Sequence, residues 1–421
     1  MVIGIDGNEA NVDKRVGISE YSFELLRHFY ENQKSILRQS SGQEIKNQNH
    51  NLKFKIYLKN KPYSDFPKEE VWWQYSIFGP TKLWTQFALP LNLYLERPRP
   101  DVFFSPTHYA PRFSPVPTVI SIMDLSYIHF PQLFKKSDLY QLKNWTSYSL
   151  HNAKKVLTIS KASRNDIIKE YKVAEDKVVV TYPGIKSEIR NPRFAARRAK
   201  FETNTKYKKQ MKKTLKDKYG INGEYILFVG TLQPRKNIER LIEAFSLLCH
   251  PKRSEGSRDS SPANRRAQND IQLVIVGKKG WLYEDILKAP KKFEIKDKVK
   301  FLDFVSDEDL PGFYENAICF VLPSLYEGFG LPVLEAMKYG CPVITSSVSS
   351  LPEAGGDAAL YINPLDVEDI AKNLELIINN SELRKKLIEK GYEQVKKFSW
   401  EKTARETLDV LTQVANNGKN Y

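Results

Sequence analysis

Eleven short apolar runs, set apart by stretches of helical period, constrain this chain more than any other feature. They fall in two series, at residues 2–5, 54–58, 102–104, 118–122, 155–159 and 178–181, then at 225–229, 272–276, 299–301, 318–322 and 343–345. A strand with one wet face alternates apolar and polar residues, whereas these runs are continuous and rich in Val and Ile. Both faces must be covered, as in parallel sheets flanked by helices. At 421 residues the chain also exceeds what one hydrophobic core usually serves. Two doubly wound α/β domains are expected, residues 1–184 and 185–395, changing near Pro183 and Gly184. Residues 396–421 are expected to form a C-terminal helix that packs back toward the first domain. Ser399 can cap it, and Glu401 suits the positive end of its dipole.

Formal net charge is +15, a surplus that favours nucleotides, nucleic acid, acidic glycans or an anionic lipid surface. Much of it sits between residues 190 and 218, where twelve Lys/Arg accompany two Asp/Glu. That segment reads as a solvated linker and surface helix, or as a patch for an anionic membrane or acidic acceptor. Few aromatics punctuate it, so base stacking, and with it a nucleic-acid partner, is not supported. Cys249, Cys319 and Cys341 are scattered and form no CxxC or Cys/His cluster, against a disulfide framework or a zinc site. No signal-peptide pattern opens the chain, and no run reaches the roughly 18 apolar residues of a membrane span. A cytoplasmic protein, at most peripheral at the inner face of a membrane, is expected. Residues 32–51 and 250–270 are polar and read as loop insertions. The aromatic stretch 75–95 is expected to hold a helix within 81–95, broken or kinked at Pro90. One face would pack, and the other could meet a lipid-linked or saccharide acceptor.

Chemistry concentrates in PSLYEGFGLPVLEAMKYGCP, residues 323–342. A buried strand ends at Pro323, a loop carries Gly328 and Gly330, Pro332 opens a helix and Gly340 stops it. A glycine loop entering a helix offers backbone N–H groups and a positive dipole end, which suits a diphosphate. Glu327 in the loop can accept bonds from sugar hydroxyls, and Glu335, inside the helix, can hold a ribose diol. On spacing alone, Glu335 is equally an ordinary surface residue. With its Glu-x7-Glu spacing and GFGLPVLEAM context, this segment resembles the retaining glycosyltransferases of family 4. The resemblance runs over nearly the whole chain. It implies the GT-B fold, two Rossmann-like domains facing across a cleft. It further implies sugar-hydroxyl contacts for Glu327, backbone contacts from Gly328, Phe329, Gly330 and Leu331, and ribose binding for Glu335. The nucleotide base would lie against the backbone at Phe304 and Val305.

A second constellation, GTLQPRKNIERLIEAF from Gly230 onward, leaves the strand 225–229 and enters a helix. Arg235 and Lys236 thus emerge at a strand's carboxyl end, where open α/β sheets bind ligands. Two cations there would stabilise a departing diphosphate more in the transition state than in the ground state. In the first domain, Gly17 precedes a helix expected over 18–29, and in relatives such a loop approaches the donor phosphates and acceptor. His108, Asp124 and Ser160 each follow a strand, and His129 lies just beyond Asp124. Asp124 is a catalytic candidate, and His108 and His129 are candidates for lining the acceptor pocket. Ser160 caps the next helix or touches phosphate. Many relatives carry a His where this chain has Met123, and a thioether cannot move a proton. The Asp307-Glu308-Asp309 run spells a metal motif of another fold, but it reads as a helix start capped by Ser306, and no metal or other cofactor is expected. The expected activity is transfer of a hexose from a GDP- or UDP-sugar donor to a glycan or lipid-linked acceptor. Met123 motivates the alternative of a non-catalytic sugar-nucleotide binder or partner subunit.

Overall fold

The computed structural model describes residues 1–40, 52–185, 205–250 and 271–418, without the side chains of 39–40 and 205–209. The chain divides into two compact units, Met1–Gly184 with Phe398–Tyr421, and Ile185–Lys397. Residues 398–421 thus rejoin the first unit through the helix Trp400–Asn417. Ser399 caps it, its Oγ accepting from the Lys402 N–H at 3.2 Å.

The first unit holds a seven-stranded parallel sheet of β1 (Val2–Asp6), β2 (Lys53–Leu58), β3 (Trp73–Ile77), β4 (Val102–Ser105), β5 (Thr118–Ile122), β6 (Lys155–Thr158) and β7 (Val178–Val180). Its order is β3-β2-β1-β4-β5-β6-β7. On one face Ile3, Ile5, Phe54 and Phe104 pack against Phe23, Leu26 and Phe29 of the helix Ile18–Ser40, and against Trp400, Leu411 and Val414. On the other, Tyr57 and Phe103 meet Trp84, Leu89 and Leu93. Each such fully buried side chain contributes about 1.5–3 kcal/mol by leaving water.

The second unit repeats the plan with β8 (Tyr225–Val229), β9 (Gln272–Val276), β10 (Val299–Leu302), β11 (Cys319–Leu322), β12 (Val343–Ser346) and β13 (Ala359–Ile362). All pairs are parallel and the order is β10-β9-β8-β11-β12-β13. The order reverses at β1/β4 in one sheet and at β8/β11 in the other. At such a switch point the connections leave toward opposite faces, and a crevice opens at the strands' carboxyl ends.

Three sequence expectations change. The first helix continues to Ser40, so residues 32–40 are not a loop insertion; Gln33 is buried and prolongs the inward stripe of Phe29 and Tyr30. Residues 41–51 and 251–270 lie outside the described residues. Tyr75 belongs to the edge strand β3, and the helix expected within 81–95 runs from Ala88 to Leu95. Pro90 sits in its first turn, where a missing N–H costs nothing, so it breaks nothing. The run Asp307–Asp309 is a turn ahead of the helix Leu310–Asn316, with Ser306 Oγ accepting from the Asp309 N–H at 3.3 Å. The Asp309 carboxylate takes hydrogen bonds from Lys218 (2.6 Å) and Tyr219 (2.7 Å). Of the basic stretch 190–218, residues 190–204 lie outside the described residues. The rest lies in the helix Thr205–Tyr219, which buries Met211 and Leu215 and exposes Lys212, Lys213 and Lys216.

Candidate functional site

Because β8 and β11 are neighbours, the loops that follow them leave side by side at the switch point of the second unit. The β8 loop passes Gly230 and a single tight turn, Pro234–Lys236, before Asn237, at φ 59, starts the helix Ile238–Cys249. The β11 loop runs from Pro323 to Gly330 and enters the helix Leu331–Lys338 with Pro332 in its first turn. Backbone joins them first: the Leu325 N–H donates to the Arg235 carbonyl at 2.9 Å. Asn237 adds bonds from its amide to the carbonyls of Pro323 (3.0 Å) and Pro364 (2.6 Å).

Side chains complete the junction. Lys236 Nζ donates to Glu327 Oε1 at 2.6 Å, and Arg235 donates to Glu327 Oε2 at 3.1 Å and to the Tyr326 carbonyl at 2.6 Å. Ser324 Oγ also donates to Glu327 Oε1, at 2.6 Å. Below, the Glu327 N–H donates to Ser349 Oγ (3.0 Å) and its carbonyl accepts from Ser350 Oγ (2.8 Å). Glu327 is only 7% exposed. Burial acts to raise its pKa, but the charges of Lys236 and Arg235 and the bonds from Lys236 and Ser324 outweigh it, and the carboxyl is pushed down to about 2. Two cations share this one carboxylate, beside a helix start.

The glycines set how closely backbone can approach. Gly330 takes φ 100 at the helix N-cap, where an L side chain is strained. A Cβ on Gly277, just past β9, would stand 1.9 Å from the Gly230 carbonyl oxygen, so the two loops pass only because Gly277 lacks one. Gly328 and Phe329 are buried in the β11 loop, and Leu331 opens the helix. Glu335 lies four residues after Leu331 and so on the same helix face, half-buried, accepting from Tyr314 Oη at 3.2 Å. Val305 is buried just beyond β10, beside an exposed Phe304.

In the first unit, Asp124, Ser160 and His108 follow the carboxyl ends of β5, β6 and β4. His108 Nε2 lies 3.5 Å from the Asp124 carbonyl, and burial pushes its pKa down, keeping the ring neutral. The Asp124 carboxylate accepts from the Ser126 N–H at 2.8 Å. Ser160 caps the helix Lys161–Tyr171, accepting from the Ser163 N–H at 3.0 Å. His129 Nε2 lies 3.0 Å from Asp166 Oδ2. Gly17, exposed at φ 57, precedes the first helix. Met123 belongs to the apolar core with Leu157 and Trp400, so its position serves packing.

The sequence reading assigned no role to Ser324, Ser349, Ser350, Tyr314 or Gly277. Ser349 and Ser350 follow β12, the strand beside β11, so the rule that sites gather at strand ends reaches them once strand order is known. Tyr314 lies within a helix and carries no such signal. Asp6 and Glu9, at and just past the end of β1, were also passed over. Burial pushes both carboxyls up, and Asp6 accepts from Asn8. Among the described residues no group of three or more His, Cys, Asp or Glu could hold a metal ion, and no helix is long and apolar enough to cross a membrane.

Comparison with known proteins gives the family and the fold. Residues 211–394 match the model for glycosyl transferases group 1, and residues 61–189 match that for glycosyltransferase family 4. The chain is 32% identical to the O-antigen chain mannosyltransferase B of Escherichia coli over 69% of each protein. It is 30% identical to the serotype-specific mannosyltransferase WbdA of the same organism over 63% of its own length, spanning only 29% of that longer protein. HepE of Anabaena, solved with UDP and glucose, superposes with a TM-score of 0.65 at 15% identity, covering 98% of this chain and 99% of that one. That likeness shows the GT-B fold. With its Glu327 and Glu335 pair, its paired cations and these matches together, this chain belongs to glycosyltransferase family 4.

Proposed function

We propose that this glycosyltransferase moves a hexose, with retention of configuration, from a GDP- or UDP-sugar to a glycan or lipid-linked acceptor during polysaccharide or glycolipid synthesis. Mannose is the first sugar to test, because the two Escherichia coli relatives are mannosyltransferases. The observation that carries the reading is the junction of Glu327, Arg235 and Lys236 at the β8/β11 crevice. The diphosphate would lie against the cations and the start of the helix Leu331–Lys338, and Glu335 would hold the ribose. Glu327, held by both cations, fixes where they stand and turns its remaining acceptor capacity toward a sugar hydroxyl.

In the transfer, the bond from the sugar's anomeric carbon to the phosphate oxygen breaks, and the acceptor hydroxyl oxygen bonds to that carbon from the same face. Its proton passes to an oxygen of the leaving phosphate. The products are the glycoside and a nucleoside diphosphate. No imidazole at position 123 is needed for that proton, which accords with Met123 lying in the core. Arg235 and Lys236 offset the growing charge on the leaving group, so catalysis requires no metal. Asp124 and His108 are assigned to the acceptor side, and the basic segment 190–218 to peripheral contact with an anionic membrane in the cytoplasm. Nucleic acid is not a partner.

The test is to supply GDP-mannose and UDP-hexoses with a lipid-linked saccharide, in EDTA, and to read the new linkage by NMR. An α-linked product from an α-linked donor is expected. A product of inverted configuration, or turnover abolished by EDTA, would refute the mechanism. Donor binding without any transfer would support the binder reading that Met123 suggested.

A further inference from the structure

Every residue of the helix Ala88–Leu95 except Asn92 is apolar or aromatic, and a helix apolar all round is ordinarily buried all round. This one buries only Ala88, Leu89, Pro90 and Leu93. Leu91 is 60% exposed, Leu95 72% and Tyr94 47%, and they continue a ridge begun by Phe87 at 67%. Spacings of four and seven residues set these side chains on one helix face. Leu83, also exposed, adds the preceding turn, its carbonyl accepting from the N–H groups of Gln86 and Phe87. It does so at φ 51, a conformation costly for leucine, so the turn holds an apolar side chain in water at the expense of backbone strain.

The rim of this ridge is cationic. Lys82 and Arg97 are exposed, and Arg97 and Arg99 are anchored at the helix end by bonds to the Tyr94 carbonyl at 2.7 and 2.8 Å. The one carboxylate between residues 81 and 99, Glu96, is taken up by Lys55 and by Tyr57 Oη. An apolar ridge with a cationic rim matches a bilayer surface carrying anionic headgroups, where rings and alkyl chains enter the interface and cations meet phosphate. We infer that the helix Ala88–Leu95 and its preceding turn seat the protein on an anionic membrane. A second copy fits less well: a two-fold contact would bring the cationic rims together, and a stable dimer engages about 20–30 residues a side. The inference stands apart from the transfer chemistry, since it uses no residue of the donor site.

The test is co-sedimentation of the full chain with phosphatidylcholine vesicles, with and without phosphatidylglycerol. Wild type is compared with the triple variant Phe87→Ser, Leu91→Ser, Leu95→Ser. Wild type should prefer the anionic vesicles, and the triple variant should lose at least tenfold in partition while keeping its melting temperature, as exposed substitutions do. In a second arm, the indole introduced by Leu91→Trp should be quenched by brominated lipid. Undiminished binding of the triple variant would overturn the inference and leave the membrane contact to the basic segment 190–218 alone. Absence of quenching would overturn it too, as would a dimer that the triple variant dissolves without any change in vesicle binding.

Discussion

Lys236→Ala lowers kcat by about 100- to 1000-fold, the usual cost of removing one preorganised group from a developing charge. The size of the effect follows from placement. The Lys236 ammonium is held at 2.6 Å from Glu327 Oε1 with its side chain only 11% exposed, so it meets the leaving group without reorganising. Charge on the diphosphate grows as the glycosidic bond breaks, and the attraction grows with it, which is why the loss should appear in kcat. Steady-state kinetics with the donor varied separates the cases. A variant with kcat unchanged and only KM raised would show that Lys236 binds ground and transition states alike.

Glu327→Gln should destabilise the second unit by about 3–5 kcal/mol, because it removes the buried carboxylate that pairs with both Arg235 and Lys236. For a unit of this size that is a fall on the order of 10 °C in melting temperature. Acid provides a second readout. The carboxyl titrates near 2 in the folded protein against an ordinary 4.5, so it binds its proton more readily in the unfolded chain. Its contribution is therefore complete above about pH 5 and is lost as pH falls from about 4.5 toward 2. Wild type should lose stability over that window more steeply than Glu327→Gln. Equal slopes in the two proteins would show that the carboxylate is not paired as described.

Much of the fold was legible because buried parallel strands announce themselves as continuous apolar runs. The two strands not anticipated lie at sheet edges. β3 alternates Gln74 and Ser76 with Trp73, Tyr75 and Ile77 and exposes part of its surface, so it lacks the continuous signal. β13 is four residues long and buries only its first and last fully. The site was legible to the extent that Arg235, Lys236 and Glu327 could be placed at strand ends. What the sequence could not show is that Glu327 spends both oxygens on the two cations, since the partners lie about ninety residues apart. Nor could it show that Ser349, held at φ 52, fastens the Glu327 backbone from the next strand's loop. Such contacts depend on strand order, which apolar patterning does not encode.

The central claim is that the cluster at the β8/β11 crevice binds the diphosphate of the donor. Titration calorimetry of the full chain with guanosine, uridine and their diphosphates tests it most directly, in wild type and Lys236→Ala. The account predicts that one diphosphate binds at least tenfold more tightly than its own nucleoside, and that Lys236→Ala closes most of that gap while leaving the nucleoside's affinity unchanged. If neither diphosphate binds better than its nucleoside, or if the gap survives in Lys236→Ala, the cluster does not hold the diphosphate.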